Sequence, residues 1–413
     1  MFCVSRMTDG SLVSVFRLSR IVLLGSVLAV QLDSNAVWVK AGVSEALMSA
    51  TELIHHYGYP VEEHAVQTDD GYILTHFRIP NGRNSSGKRQ PVILQHGLSS
   101  AADAWLFAGK DKSLGFILAD AGYDVWLTNI RGNRYCLKHI SLSPDFPKFW
   151  DFSWHEMGYY DLPATIDYIL AVTQQPTVYY VGYSMGNTML YVMTSTRPEY
   201  NEKLKIGINL SPVVYIGNLS HPIIRAQLQF VHVFQAISEA IEFRHIPHIE
   251  MSLVSNIETF CQEGTLTYKF CIFGYILSFG GDIEQLNKTL LPTIITHNCA
   301  GTSTKTLLHY SQLITSGKFR AYDYGSTENM KLYGQATPPD YDLKNVTMPM
   351  SLYYGDGDLI VSPKDAKKLA DELQHVVATI RVPHRDFNHM DFIVAKDVKQ
   401  LVYDSLLSFM NVY

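Results

Sequence analysis

The run Gly182-Tyr183-Ser184-Met185-Gly186 sets one serine between two glycines. A serine hydroxyl is a weak nucleophile until a neighbouring base takes its proton. The G-x-S-x-G pattern suits that activation when it forms a sharp strand-to-helix turn, which lifts the hydroxyl clear of a sheet. The same five residues could also be a plain glycine-rich turn. Context separates the two readings. Residues 177–182 read as a strand, and residues 187–196 read as a helix that stops before Pro198.

A nucleophile of this kind needs an acid and then a histidine later in the chain. Tyr353-Tyr354-Gly355-Asp356-Gly357-Asp358 follows an apolar, strand-like run. A carboxylate just past a strand end can orient a histidine by hydrogen bonding. Asp356 and Asp358 both qualify. Asp358 is preferred, because it lies further into the loop and precedes apolar Leu359-Ile360, whereas Asp356 suits a turn cap. The next strand, 376–382, is followed by His384 and His389. His389, within Asn388-His389-Met390-Asp391-Phe392, is the expected base, and His384 the expected structural histidine. Two backbone N–H groups are needed for the oxyanion. They are expected from Met185 and from Leu98 in Gln95-His96-Gly97-Leu98, with His96 a packing residue of that loop.

The elements that must position these residues alternate along the front half. Strands are expected at 72–79, 91–95, 123–129, 177–182 and 205–210. Helices are expected at 114–121, 162–172 and 187–196, with Asp161 capping the second. This alternation argues for an α/β chain with a parallel sheet covered by helices on both faces. From about Val214 to His309 the strands vanish, while Ile224, Leu228, Val231, Phe234, Ile237 and Ile241 recur at helical spacing. Strands at 349–354 and 376–382 and helices at 364–373 and 398–410 then return. The reading is a helical insertion at 214–309 that splits one catalytic domain into 37–213 and 310–413. The alternative is ordinary core-facing helices, and some of these apolar residues are expected to face the core.

The chain has 413 residues, 47% hydrophobic and 17% charged, enough for one large core. A net charge of −6 without a basic run argues against nucleic-acid binding. Arg17 and Arg20 precede an apolar run at 21–30, followed by Ser34-Asn35-Ala36. This reads as an export signal over 1–36. A disordered tail or signal anchor is the alternative, and Met7 an alternative start. Nothing later in the chain is long and apolar enough to span a bilayer. Beyond Cys3, four cysteines remain, without a CxxC pair to suggest zinc. Cys261 and Cys271 are close enough to close a short loop and form the expected disulfide, against four buried thiols. Asn84, Asn218, Asn287 and Asn345 head N-x-[ST] sequons, the expected glycosylation sites; Asn209 also heads one but sits in an apolar strand.

These motifs together resemble the acid lipases, the family that includes gastric lipase and lysosomal acid lipase. The resemblance covers almost the whole mature chain. It runs from Tyr57-Gly58-Tyr59-Pro60-Val61 and Asp70-Gly71-Tyr72 through Asn129-Ile130-Arg131-Gly132-Asn133 and Tyr160-Asp161-Leu162-Pro163. It continues through His297-Asn298 and Gly317-Lys318-Phe319 to Asn388-His389-Met390-Asp391-Phe392. It implies an α/β-hydrolase fold with a helical cap or lid, lipid-ester substrates, and a triad on Ser184, Asp358 and His389. It also implies oxyanion donors on Leu98 and Met185, and the Cys261–Cys271 pair inside the cap. Two departures stand out. Tyr183 and Met185 flank the serine where the family more often has His and Gln, and Cys299 stands where it often has proline.

The expected function is therefore hydrolysis of long-chain fatty-acid esters, triacylglycerol or steryl ester, at a lipid–water interface, without metal or cofactor. The expected location is outside the cell or in the lysosomal lumen. A short-chain carboxylesterase and a non-catalytic lipid-binding relative are the alternatives.

Overall fold

Pro91-Val92-Ile93-Leu94-Gln95 carries no charge, and every one of its side chains is buried. A strand apolar on both faces belongs in the middle of a covered sheet. The computed structural model, which describes residues 44–83 and 90–413, places it there. The strands in chain order are β1 (Glu62–Gln67), β2 (Tyr72–Ile79), β3 (Pro91–Gln95), β4 (Asp124–Thr128), β5 (Lys138–His139), β6 (Val178–Tyr183), β7 (Leu204–Leu210), β8 (His245–Ile246), β9 (Thr302–Ser303), β10 (Met350–Tyr354) and β11 (Val376–Arg381). The main sheet runs β1-β2-β4-β3-β6-β7-β10-β11, with β5 beside β2. From β4 to β11 every pairing is parallel, and β1, β2 and β5 add antiparallel pairings at one end.

The period-2 alternation of side chains splits the core in two. Val92 and Leu94 face one layer, with α1 (Ala50–His56) and α2 (Leu114–Ala121) packed over it. Ile93 faces the other layer, beneath α3 (Leu162–Thr173) and α4 (Met185–Thr196). Helices therefore cover both faces, as the alternation of strand and helix requires.

Between β7 and β10 the chain is mainly helical, with helices that include α5 (Pro222–Leu228), α6 (Val231–Ala240), α7 (Met251–Phe260), α8 (Tyr268–Phe279) and α9 (Thr304–Ser316). Strands do not vanish altogether, because β8 and β9 form a two-residue antiparallel pair. The expected core-facing residues of α5 and α6 are not there. α5 buries no residue and α6 only Ser238, while Phe234, Ile237 and Ile241 are each at least 39% exposed. α7 and α8 turn inward instead, burying Val254, Cys261, Cys271 and Tyr275. The chain closes with α10 (Pro363–Glu372) and α11 (Asp404–Val412).

Asp161 does not cap α3. Its backbone is already helical, continuing the turns that start at Trp154, so no free N–H group faces it. Its carboxylate instead accepts from Arg131 Nε at 2.8 Å and Arg131 Nη2 at 2.6 Å. Asp70 holds the rest of the guanidinium at 2.5 and 2.8 Å, and the Tyr72 ring lies 4.0 Å beneath it. The expected signal at 1–36 and the sequon at Asn84 lie outside the described residues.

Candidate active site

Ser184 joins β6 to α4 with φ 55° and ψ −117°, a conformation that costs a non-glycine residue about 1–3 kcal/mol. Neighbouring strands hold the turn in place. Ser184 N and Asn187 Nδ2 both donate to the Leu210 carbonyl, each at 3.0 Å. The turn also presses against β3. A Cβ on Gly186 would lie 2.5 Å from the Gln95 carbonyl oxygen, so only glycine fits.

The three residues expected to act together meet here. His389 Nε2 is 2.9 Å from Ser184 Oγ, and His389 Nδ1 is 2.8 Å from Asp358 Oδ2. All three are buried. Burial alone would push the Asp358 carboxyl up. The nearby His389, the Ser211 hydroxyl and backbone N–H bonds outweigh it and hold the group below the ordinary carboxylate value. Asp358 Oδ1 accepts from the N–H groups of Ile360 at 2.8 Å and Val361 at 3.0 Å. Asp356 instead pairs with Arg381 at the surface, and His384 Nε2 lies 2.7 Å from Asp282. Of the two carboxylates, Asp358, the one deeper in the loop, is the one that reaches the His389 imidazole.

Two polar partners of this group were not anticipated. Ser211, immediately after β7, places its hydroxyl 2.5 Å from Asp358 Oδ2 and 2.9 Å from His389 Nδ1. Tyr183 donates its hydroxyl to the His389 carbonyl at 2.9 Å, and its ring lies beside the imidazole. A hydroxyl residue at the carboxyl end of the strand next to the nucleophile strand is a usable signal for Ser211. The role of Tyr183 depends on a loop more than 200 residues away and leaves no local trace.

Leu98 and Met185 have backbone N–H groups that donate to no protein acceptor among the described residues. Gly97 brings the Leu98 loop against the serine, since a Cβ there would sit 3.0 Å from Ser184 Cβ. The loop is pinned by Ala300 N to the Ser99 carbonyl at 2.7 Å and by Ala102 N to Asn129 Oδ1 at 2.9 Å. His96 is buried and donates to the Gly97 carbonyl. Burial pushes its pKa down to about 4, so it is neutral and does not compete as a base.

The remaining expected residues fall elsewhere. Cys261 and Cys271 form a disulfide that joins α7 to α8. Asn218 and Asn345 are exposed and Asn287 half-buried, while Asn209 is fully buried. Among the described residues, no group of three or more His, Cys, Asp or Glu is arranged to hold a metal ion. A cavity of about 1000 Å³ lies between α6 and α9, but none of Ser184, Asp358 and His389 lines it.

Residues 50–109 match a partial alpha/beta-hydrolase lipase region, and residues 90–395 match the alpha/beta hydrolase fold. Lipase 1 of Drosophila melanogaster is 41% identical over 88% of this chain and 80% of its own length. Gastric triacylglycerol lipase of Bos taurus is 38% identical over 94% of this chain and 98% of its own. Lipase member K of Homo sapiens is 38% identical over 89% of this chain and 92% of its own. Among solved structures, Lip1 from Acinetobacter baumannii AYE superposes with a TM-score of 0.52, covering 91% of this chain and 99% of its own at 15% identity, a likeness of fold.

Proposed function

The chain belongs to the acid lipase family of the α/β-hydrolase fold, and from that premise we propose that it hydrolyses long-chain fatty-acid esters through an acyl-enzyme on Ser184. The observation that carries this reading is the relay from Ser184 Oγ through His389 to Asp358, at 2.9 and 2.8 Å. His389 takes the serine proton while Asp358 holds the imidazole in the tautomer that leaves Nε2 free to accept it. Ser184 attacks the ester carbonyl, and the N–H groups of Leu98 and Met185 hold the oxyanion. His389 then protonates the departing alcohol. Water, activated by the same base, releases the fatty acid.

A lipid–water interface is the proposed place of action. Apolar side chains of α6, α8 and the residue just before α6 point to solvent, namely Val233, Phe270, Phe273 and Phe230, each more than half exposed. Leu266, between α7 and α8, is 91% exposed. Apolar exposure on this scale suits a face that meets lipid. We take 214–309 as the cap, split from the flanking parts 37–213 and 310–413 of one catalytic domain. No helix among the described residues is long and apolar enough to cross a membrane. Entry into the secretory pathway, with release outside the cell or delivery to the lysosome, is supported by the Cys261–Cys271 disulfide and by the basic-then-apolar run at 17–30. Glycans on Asn218, Asn287 and Asn345, with Asn84, fit the same route.

Turnover of emulsified triacylglycerol and steryl ester, set against a soluble short-chain ester, tests this. Higher turnover of the emulsified substrates is expected. Hydrolysis confined to the short ester would make the protein a carboxylesterase instead.

A further inference from the structure

Ser211 is fully buried, directly follows β7, and adopts φ 45°, a left-handed conformation that favours glycine. Its N–H is fixed to the Tyr353 carbonyl at 2.9 Å. A hydroxyl held this way needs a partner, because a buried polar group left unpaired is costly. Its partners are the two groups that bond to each other in the relay. The Ser211 hydroxyl donates to Asp358 Oδ2 at 2.5 Å, and its oxygen lies 2.9 Å from His389 Nδ1.

We propose that Ser211 is a positioning residue of the acyl-transfer site, closing a three-way contact that fixes Asp358 and His389 against each other. This rests on the function proposed above. Asp358 Oδ1 is held by the Ile360 and Val361 N–H groups, so that half of the carboxylate is already anchored by its own loop. Oδ2 is the half that meets His389, and Ser211 is the group that locks it from outside the loop. Ser211 also draws charge from the oxygen that receives the imidazole N–H. Without it, Asp358 Oδ2 keeps more of its charge and binds the imidazole N–H more tightly. The donor contact at 2.5 Å is the shorter of the two, the serine oxygen lying 2.9 Å from Nδ1. The other titratable groups acting around Asp358 are His389, Tyr183 and Asp391. Burial raises the Tyr183 phenol well above its ordinary value and pushes Asp391 up to about 9, so neither changes charge between roughly pH 4 and 8.

Ser211→Ala removes the hydroxyl, and Ser211→Gly removes it while relaxing the backbone. In both, kcat on a soluble ester is expected to fall roughly 10-fold with KM within about twofold. The acid limb of kcat/KM is expected to move to higher pH in both. The low-field proton resonance of His389 Nδ1–H, read by NMR on the full chain, is expected to shift. Folded variants with unchanged resonance and unchanged acid limb would overturn the proposal, whatever happens to kcat, because a purely structural effect would leave both in place. Should the unmodified protein turn over no ester, the proposed function fails, while the resonance comparison still decides the role of Ser211.

Discussion

The Tyr183 hydroxyl donates to the main-chain carbonyl of His389 at 2.9 Å, so the residue beside Ser184 anchors the loop that carries His389. Ser184 and His389 are therefore coupled twice, once through their side chains and once through this tie. Tyr183 is buried, and its oxygen has no other donor role than this bond and a longer contact to Met390 Sδ at 3.5 Å. Tyr183→Phe keeps the ring and loses the tie. Esterase assays should show kcat down roughly 3- to 10-fold, with thermal stability lowered by about 1 kcal/mol. An unchanged kcat would mean the loop is fixed by its other contacts.

Arg131 is 1% exposed and spends its guanidinium on Asp161 and Asp70. Removing one partner of a buried ion pair leaves the other charged and unpaired, which costs about 3–5 kcal/mol. Arg131→Met should lose that much in denaturant unfolding, although it touches neither Ser184 nor His389. A loss under about 1 kcal/mol would show that Asp161 gives up its charge or finds water.

Asp391 lies two residues beyond His389. Burial, the largest cause, and the carboxylate of Asp282 push its pKa up to about 9, against the opposing Asn388 N–H bond. Asp391 Oδ1 is a buried acceptor without a hydrogen-bond donor, which a proton on Asp391 would relieve, whereas Asp282 Oδ2 has His384 Nε2 at 2.7 Å. The folded pKa lies above the unfolded one, so the folded chain binds more protons between the two. The stability this group contributes is full below its ordinary value of 3.8 and is lost as pH rises towards about 9. Thermal melts should show a fall in Tm over that range that is smaller in Asp391→Asn than in the parent. Parallel Tm curves would remove Asp391 from the pH response.

The Cys261–Cys271 disulfide closes a loop with a sequence separation of 10, worth about 3 kcal/mol by loop entropy. Both cysteines and Tyr275 pack into the same core layer as Tyr183, Phe387 and Met390, the last two in the loop that carries His389. Double replacement by serine should lower the temperature at which ester hydrolysis is lost, read by residual activity after heating. Equal heat resistance would show that α7 and α8 hold without the bond.

Much of this was legible in the residues. Alternating apolar runs fixed the order of β2, β3, β4, β6 and β7 to within a residue or two, because strands buried on both faces leave little else to form. Chain order after Ser184 narrowed the acid to Asp356 or Asp358 and the base to His384 or His389, and position in the loop favoured Asp358 and His389. Other features were hidden by distance. Asp161 reads locally as a cap, yet Arg131, thirty residues earlier, claims its carboxylate. Helical spacing in α5 and α6 predicts helices and suggests a buried face. It does not reveal that this face stays exposed, since period carries no information about what covers it. For Ser211 the residues show only a hydroxyl at a strand end; its φ and its two partners exist only in the folded chain.

The central claim is that Ser184 carries the acyl group. The direct measurement is the reaction of the intact protein with a fluorophosphonate, followed by mass mapping of the adduct, alongside ester turnover by Ser184→Ala. The adduct should sit on Ser184, and the variant should lose at least about 10³-fold in kcat while remaining folded. An adduct on another residue, or full turnover by Ser184→Ala, would contradict it.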